Sequence, residues 1–518
     1  MSQTATASLI ANAAATARVP CVELRVAWGR TSWPTDWATQ SQDETSRLLD
    51  FGFGRDLAID PLQQGNARPA SLSITLDNAG QRFSAFNTSS AITADILGST
   101  TTAGGTTVTY PKLRGSPVRL RVGYYDSSAG NEFITVFSGY VDNPQGDTYG
   151  LSGDRLTLTV LDRGVELVDS RYSTPMHSQL RADEWAHIVL DQSGLTRNLD
   201  RGTFIIPYVW MDDETLWQEI QDAAQADGGW FFVDELGVAT FKAATWWATD
   251  SDSTTVQATV TVANFQDLGN TVDWSTLATK VVFEYTPRSP GGEQDLWRSQ
   301  DIIIIPPGTK TLEARFSYPM DEGGLPEPEI RAITAGGRRL NDVYLTFSGT
   351  TAQRTTLNFD NQSGETAFIP PFVVRGHAVM GTTSKNVEHT MTSLSPYEVV
   401  KRVNAGPYVQ TEAQANMLKV LYGDRLRYPR MTYSVSGFKA MPWLQLGDRV
   451  RINVSAPYTS TRDMIVTGIA MSWRPGDAFL QTLTGVDVLG LYEYSDYFVI
   501  GTSAYGEPPT GDVGRMWL

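Results

Sequence analysis

Cysteine, histidine and long apolar runs are all scarce in these 518 residues. The single thiol, Cys21, has no intramolecular disulfide partner, and no Cys/His cluster is spaced to hold a structural zinc. Stability must come from packing. The longest aliphatic block, Ile302 to Ile305, is far shorter than the roughly 18 residues that cross a bilayer, so no membrane span is expected. Positive charge is also the minority: 41 Lys and Arg against 57 Asp and Glu give a net charge of -16, which argues against a surface that grips phosphates.

Reactive motifs are missing too. His177, His187, His377 and His389 are scattered, without the H-E-x-x-H spacing that puts two imidazoles on one metal. Cys21 opens a predicted strand, "PCVELRV", where a buried, inert thiol is expected. No G-x-S-x-G elbow occurs; "FGFGRDL" (51–57) lacks the third glycine of a dinucleotide loop, and "GTTSK" (381–385) lacks the order of a phosphate loop. The pairs Asp212/Asp213 and Asp234/Glu235, with 14 tryptophans, are the raw material of a sugar-active site. Asp212 and Asp213 also stand where a helix N-terminus favours negative charge, and the tryptophans of the predicted helices and strands would pack. No catalytic residue, cofactor or metal is therefore expected. Asn-x-Ser/Thr triplets at Asn87, Asn361 and Asn453 carry no weight without secretion, and "MSQTATASLIANAAATARVP" fits a secretory signal poorly, so residues 1–20 read as a loose or helical arm.

What the chain does contain is strand and turn. In "SLSITLDNAGQRFSAFN" (71–87), Leu72, Ile74 and Leu76 fall on one side of an extended strand and Ser71, Ser73 and Thr75 on the other. Asp77, Asn78 and Gly80 then supply a turn, and Phe83 and Phe86 return to an apolar surface. Similar units run from Val22 to Asp162, interrupted by a polar Gly/Thr-rich stretch near 87–114 that reads as a long surface loop. Helices follow: "EWAHIVLDQSG" capped by Asp183, and "ETLWQEIQDAAQADGG" opened by Asp212 or Asp213, then a hairpin in "WFFVDELGVATF". "PRSPGGEQ" and "MDEGGLPEPE" read as loops. In "TEAQANMLKVLYG", Thr411 and Gln414 suggest a capping box, Ala413, Met417, Val420 and Leu421 a stripe, and Gly423 a stop.

The length allows roughly three to five units. The expected division is 1–20 arm, 21–165 β-rich, 166–268 α+β, 269–395 β-rich, 396–490 a closing β domain with one helix, and 491–518 an aromatic tail. The class is mainly β with α+β parts. "GDRLTLTV" at 153–160 and "GDRVRINV" at 447–454 share a turn and the same alternate apolar positions. Gly153–Asp154 and Gly447–Asp448 thus suggest that the first and closing β domains are copies of one fold.

The order of "ASLSITLDNAGQRFSAFN", "YPKLRGSPVRLRVGYY", "FITVFSGYVDNP" and "DRLTLTVLDRGVELVD" resembles the N-terminal region of minor tail proteins of long-tailed bacteriophages. Asp77-Asn78, Arg82-Phe83-Ser84, Gly115-Ser116-Pro117-Val118 and Phe137-Ser138-Gly139 occupy the places of that family's scheme. "GPYVQTEAQANMLKVLYGDRLRYPR" and "MPWLQLGDRVRINV" are similar to the closing part of baseplate hub proteins, so the resemblance spans most of residues 20–490. It implies a multidomain hub with two tail-tube-like β domains, present as a homotrimer at the virion's tail tip after synthesis in the host cytoplasm. The partners it implies are the distal tail, tape measure and other tail-tip proteins, with phage DNA passing without tight binding and with host-surface contact. The alternative is a carbohydrate-binding or wall-degrading tail protein.

Overall fold

The computed structural model describes residues 3–15, 18–30, 32–57, 67–83, 97–103, 106–111, 113–128, 130–148, 154–321, 325–326, 329–391, 395, 397–404, 406–437, 439–455, 460–488, 497–498 and 515–516. Ser84, Phe86, Gly153 and most of the 491–518 tail lie outside the described residues.

Alternating apolar residues build the dominant feature. Helix α1 (Ala7–Ala14) precedes strands β1 (Pro20–Val26), β2 (Leu48–Asp56), β3 (Ser71–Asp77), β4 (Pro117–Asp126), β5 (Gly130–Thr148) and β6 (Arg155–Asp162). In β3 the pattern is as expected: Leu72, Ile74 and Leu76 are fully buried, while Ser71 and Ser73 are exposed. Helices α2 (Ala182–Leu190) and α3 (Leu216–Asp227) follow, then the hairpin β7 (Trp230–Val233) and β8 (Ala239–Lys242). Strands β9 (Val256–Thr261) and β10 (Asp267–Asp273) come next, with β11 (Lys280–Tyr285), β12 (Lys385–Thr390) and β13 (Val400–Asn404) further on. Helix α4 (Glu412–Leu426) leads into β14 (Arg430–Gly437), β15 (Arg449–Val454), β16 (Ser460–Trp473) and β17 (Leu480–Asp487).

Among the described residues, one 13-stranded sheet joins the two ends of the chain. Its order is β10-β14-β17-β16-β2-β3-β6-β5-β4-β1, ending on the two-residue strand Gln42–Asp43, with β15 beside β16 and β9 beside β15. Every pairing is antiparallel except β9 with β15. The sheet takes in residues on both sides of the expected boundary at 268. Its inner face carries one apolar core drawn from both halves, including Leu24, Phe53, Ile74, Val122, Tyr433, Ile452 and Leu483. A second core gathers α2, α3, the β7–β8 hairpin, α4 and the β11 sheet; a third lies within residues 296–378.

Several local readings need correction. Asp183 sits inside the first turn of α2, where Glu184 accepts the Arg181 N–H at 2.9 Å. Asp212 and Asp213 lie in a short strand before α3, which is capped instead by the Thr215 hydroxyl. Helix α4 is capped by the Thr411 hydroxyl but runs past Gly423 to Leu426. A Cβ at position 423 would press on His389 and lie 2.9 Å from the Met391 sulfur, so this glycine serves close packing. The buried stripe of α4 is Ala415, Leu418, Leu421, Tyr422 and Leu426, whereas Ala413 is exposed. Part of the supposed loop is a hairpin, Leu97–Ala103 with Thr106–Pro111, consistent with the β preference of threonine. "PRSPGGEQ" belongs to strand Arg288–Arg298, whose register shifts between Pro290 and Glu293 let a proline sit in a ladder.

Candidate functional site

The motif residues named from the sequence fall at three places. At the first, Asp77 accepts the Ala79 N–H at 2.9 Å, and buried Asn78 accepts the Phe83 N–H at 2.9 Å while donating its own N–H to Asp154 O at 2.9 Å. Phe83 is thereby turned inward against Trp28, with ring centroids 5.3 Å apart. At the second, Pro117 and Gly139 lie on adjacent strands, Pro117 opposite Tyr140 and Gly139 opposite both Val118 and Asp162. At the third, Gly447 (φ 98°) and Asp448 turn the chain into β15; the Asp448 carboxylate accepts the Gln445 N–H at 2.8 Å. All of these are turn and packing residues.

Between these places lies the seam. Strand β2 pairs with β16 from Phe51–Trp473 to Asp56–Gly468, joining residues about four hundred positions apart in sequence. Aromatic packing backs it, with Phe51 6.0 Å from Trp473 and 6.5 Å from Phe479. The outer face across the seam is built from small uncharged residues in register: Thr159, Ser73, Gly52 and Ser472 in one row, and Ser71, Gly54, Ala470, Thr482 and Ser436 in the next. Alternation turns these residues outward, because each inward apolar residue leaves a neighbour pointing away from the core.

Behind the seam the inner face ends in a buried polar junction. Arg55, on β2, reaches Glu235 in the β7–β8 turn at 2.8 Å and the Val233 carbonyl at 3.2 Å, with both side chains almost wholly buried. Glu235 also accepts from Gln445 of the closing half and from Gln3 of the N-terminal arm, the latter at 3.1 Å. One carboxylate therefore ties four separate parts of the chain together. Neighbouring Asp162 accepts N–H groups from Ala70 (2.6 Å) and Gly164 (2.8 Å), yet burial pushes its carboxyl up to about 7. Burial likewise raises Asp234 and Asp448.

Sequence reading missed Glu219 and Asp227. Asp227 is buried, accepts from Thr203 and Phe204 N–H, and is pushed up to about 7 by burial. Glu219 lines a cavity of about 500 Å³ with Trp210, Asp212, Asp222, Arg288 and Tyr408, and burial raises it to about 7. Its groups are engaged: Tyr408 donates to Glu219, Arg315 pairs with Asp212 at 2.7 Å, and the Arg288 guanidinium lies 4.1 Å from the Trp210 ring centroid. Both acids sit on helical spacing typical of a packed face, so the sequence carried no distinguishing signal.

These carboxyls set a pH response. The folded values of Asp162, Glu219 and Asp227 lie above the ordinary carboxyl value near 4, so between about pH 4 and 7 the folded chain holds protons that the unfolded chain releases. Stability from these groups is therefore greatest in acid and falls as pH rises through that window. Carboxyls lowered by arginine, such as Asp463, are ionised in both states above about pH 5 and add no opposing slope there. Calorimetry at constant ionic strength is expected to give a higher unfolding midpoint at about pH 5.5 than at about pH 7.5; the reverse order would contradict this assignment.

No family model matches the chain, and none of the curated proteins matches it in sequence. Among the solved structures that it is similar to, three are described as tail proteins. The prophage MuSo2 43 kDa tail protein of Shewanella oneidensis aligns at TM-score 0.47 and 12% identity, over 90% of this chain and 99% of that one. The tail protein of Neisseria meningitidis MC58 aligns at 0.47 and 10%, over 90% and 96%. Prophage tail protein gp18 of Listeria monocytogenes EGD-e aligns at 0.38 and 10%, over 89% and 94%. The mainly β, multi-sheet class expected from the sequence is the class observed.

Proposed function

We propose that this protein is a structural component of a bacteriophage tail tip, a hub whose three copies form a ring between the tail tube and the tip. The observation that carries the reading is the seam: sheet modules from the two ends of the chain lie edge to edge in one sheet. A threefold ring meets a sixfold tube over its whole rim when each subunit presents two similar surfaces, and residues 21–165 with the closing strands are the proposed pair. The turns at Asp77–Phe83 and Gly447–Asp448, the strand residues Pro117 and Gly139, and Asp154 are proposed to hold those modules in shape.

The uncharged serine, threonine and glycine face across the seam is the proposed wall of the DNA passage. The two rows themselves carry no lysine or arginine, and Arg474, which lines the groove beside Gly52, Ser73 and Ser472, is accompanied there by Asp50 and Asp477, so DNA is proposed to slide by without being held. The general acidity of the chain adds to this at longer range. Distal tail, tape measure and other tail-tip proteins are the proposed neighbours, and the tail tip of the virion the proposed location. A wall-polysaccharide site gains little from the cavity at Glu219, because Glu219, Asp212 and the face of Trp210 are already taken by Tyr408, Arg315 and Arg288.

Electron microscopy of tail tips labelled on this protein is expected to show three copies per tip. Six copies, or one, would remove the threefold-to-sixfold argument.

A further inference from the structure

The two ends of the large sheet are finished differently. At one end β1 is blunted: it begins with Pro20, it is covered by Gln42–Asp43, and Leu24 donates its N–H to the Thr45 hydroxyl and accepts from Glu44 N–H, both at 2.9 Å. At the other end β10 pairs with β14 through seven unbroken positions, Asp267–Ser436 to Asp273–Arg430. Among the described residues no strand lies on its far side. Proline, lysine, arginine and bulges, common guards of a free edge, are missing from "DLGNTVD", whose charges are Asp267 and Asp273 alone. Asp267, Gly269, Asn270, Thr271 and Val272 are exposed, and Trp274, just beyond, is 62% exposed.

We infer that the free edge of β10 is a docking site for an extended segment of a partner chain, taken up as an added strand and carrying a lysine or arginine against Asp267. Backbone groups supply the affinity in such pairing, and side chains on alternate positions supply the choice of partner. On one face of β10, Leu268 reaches the sheet core while Val272 is left open, which suits an apolar or β-branched residue of the incoming strand. On the other face stand Asp267 and Asp273. Asp273 caps Ser275 and has Arg430 across from it in β14, whereas Asp267 has Ser436 across from it. The Asp267 end therefore asks for a cation.

A second copy fits less well. Antiparallel pairing of two β10 strands about Asn270, the register that uses all seven residues, lays Asp267 of each copy opposite Asp273 of the other, and like charges directly opposite destabilise a pair. The blunted β1 edge offers little backbone to a neighbouring β10.

Three synthetic peptides of alternating valine and threonine test this on the full chain: one with lysine at both ends, one with glutamate at both ends, and a lysine-ended one N-methylated at alternate residues. The lysine-ended peptide is expected to slow amide exchange of residues 267–273 about tenfold or more at roughly millimolar concentration. It should bind about tenfold more tightly than the glutamate-ended peptide, with the preference reversed by Asp267→Lys, while the N-methylated peptide should give no protection. Absence of protection by any peptide overturns the proposal, as does equal binding of the two charged ones. Concentration-dependent protection of 267–273 without peptide, together with a dimer or trimer mass, would assign the edge to another copy of this chain instead.

Discussion

A Gly139→Val chain is expected to lose its N-terminal sheet. Gly139 sits in β5 directly against β6, where an added Cβ would overlap the Leu161 carbonyl oxygen and lie 2.9 Å from Asp162 Cα. Both obstacles are backbone, so no side-chain movement relieves them. The strands must part, and the cost should reach about 4 kcal/mol or more, at the extreme end for single substitutions. Gly139→Ala meets the same oxygen and should fail in the same direction. Gly54→Ala, three positions from the start of the seam, is the control: nothing lies within 4 Å of its added Cβ, and its stability should change by less than about 0.5 kcal/mol. Thermal unfolding of the three variants decides the matter; a Gly139→Val chain that melts like the parent would show that the close strand approach at this point is wrong.

Arg55→Met should be nearly as damaging, for a different reason. The substitution removes the cation that faces Glu235 and leaves that carboxylate buried next to Asp234. Breaking a buried pair from one side costs about 3–5 kcal/mol, since the abandoned charge has no water to turn to. Removing both partners, as Arg55→Met with Glu235→Gln, should recover most of the loss. Hydrogen exchange over residues 233–238, which form the turn that meets the sheet, would report whether the junction opens locally. A double variant less stable than Arg55→Met alone would show that Glu235 acts through Gln3 and Gln445 and not through Arg55.

The two cases differ in how much the sequence disclosed. Strand β3 was fully legible, because its serine/leucine alternation has one structural meaning and its turn residues each have a local backbone role. Gly139 could be placed by resemblance, but the reason for it, an oxygen on the next strand, is a contact between positions 22 residues apart and leaves no local pattern. The same holds for Arg55, which reads as one charge in "FGFGRDL" until the fold sets Glu235 beside it. Helix α4 misled at Gly423 because glycine ends helices more often than it fills their tight contacts. The seam itself was invisible: periodicity says that β2 and β16 are strands and is silent on which strand each one chooses.

That seam has a consequence for how the chain is made. Translation proceeds at about 5–20 residues per second, so the stretch around Phe51 leaves the ribosome on the order of tens of seconds before its partner around Trp473 exists. During that interval β2 has an unsatisfied ladder on one side, in a segment rich in phenylalanine and glycine. Such distant pairing is slow to form and prone to capture by other chains. Closure of the sheet therefore waits for residues 468–473, and nascent-chain shielding of "LLDFGFGRD" should raise the yield of soluble product.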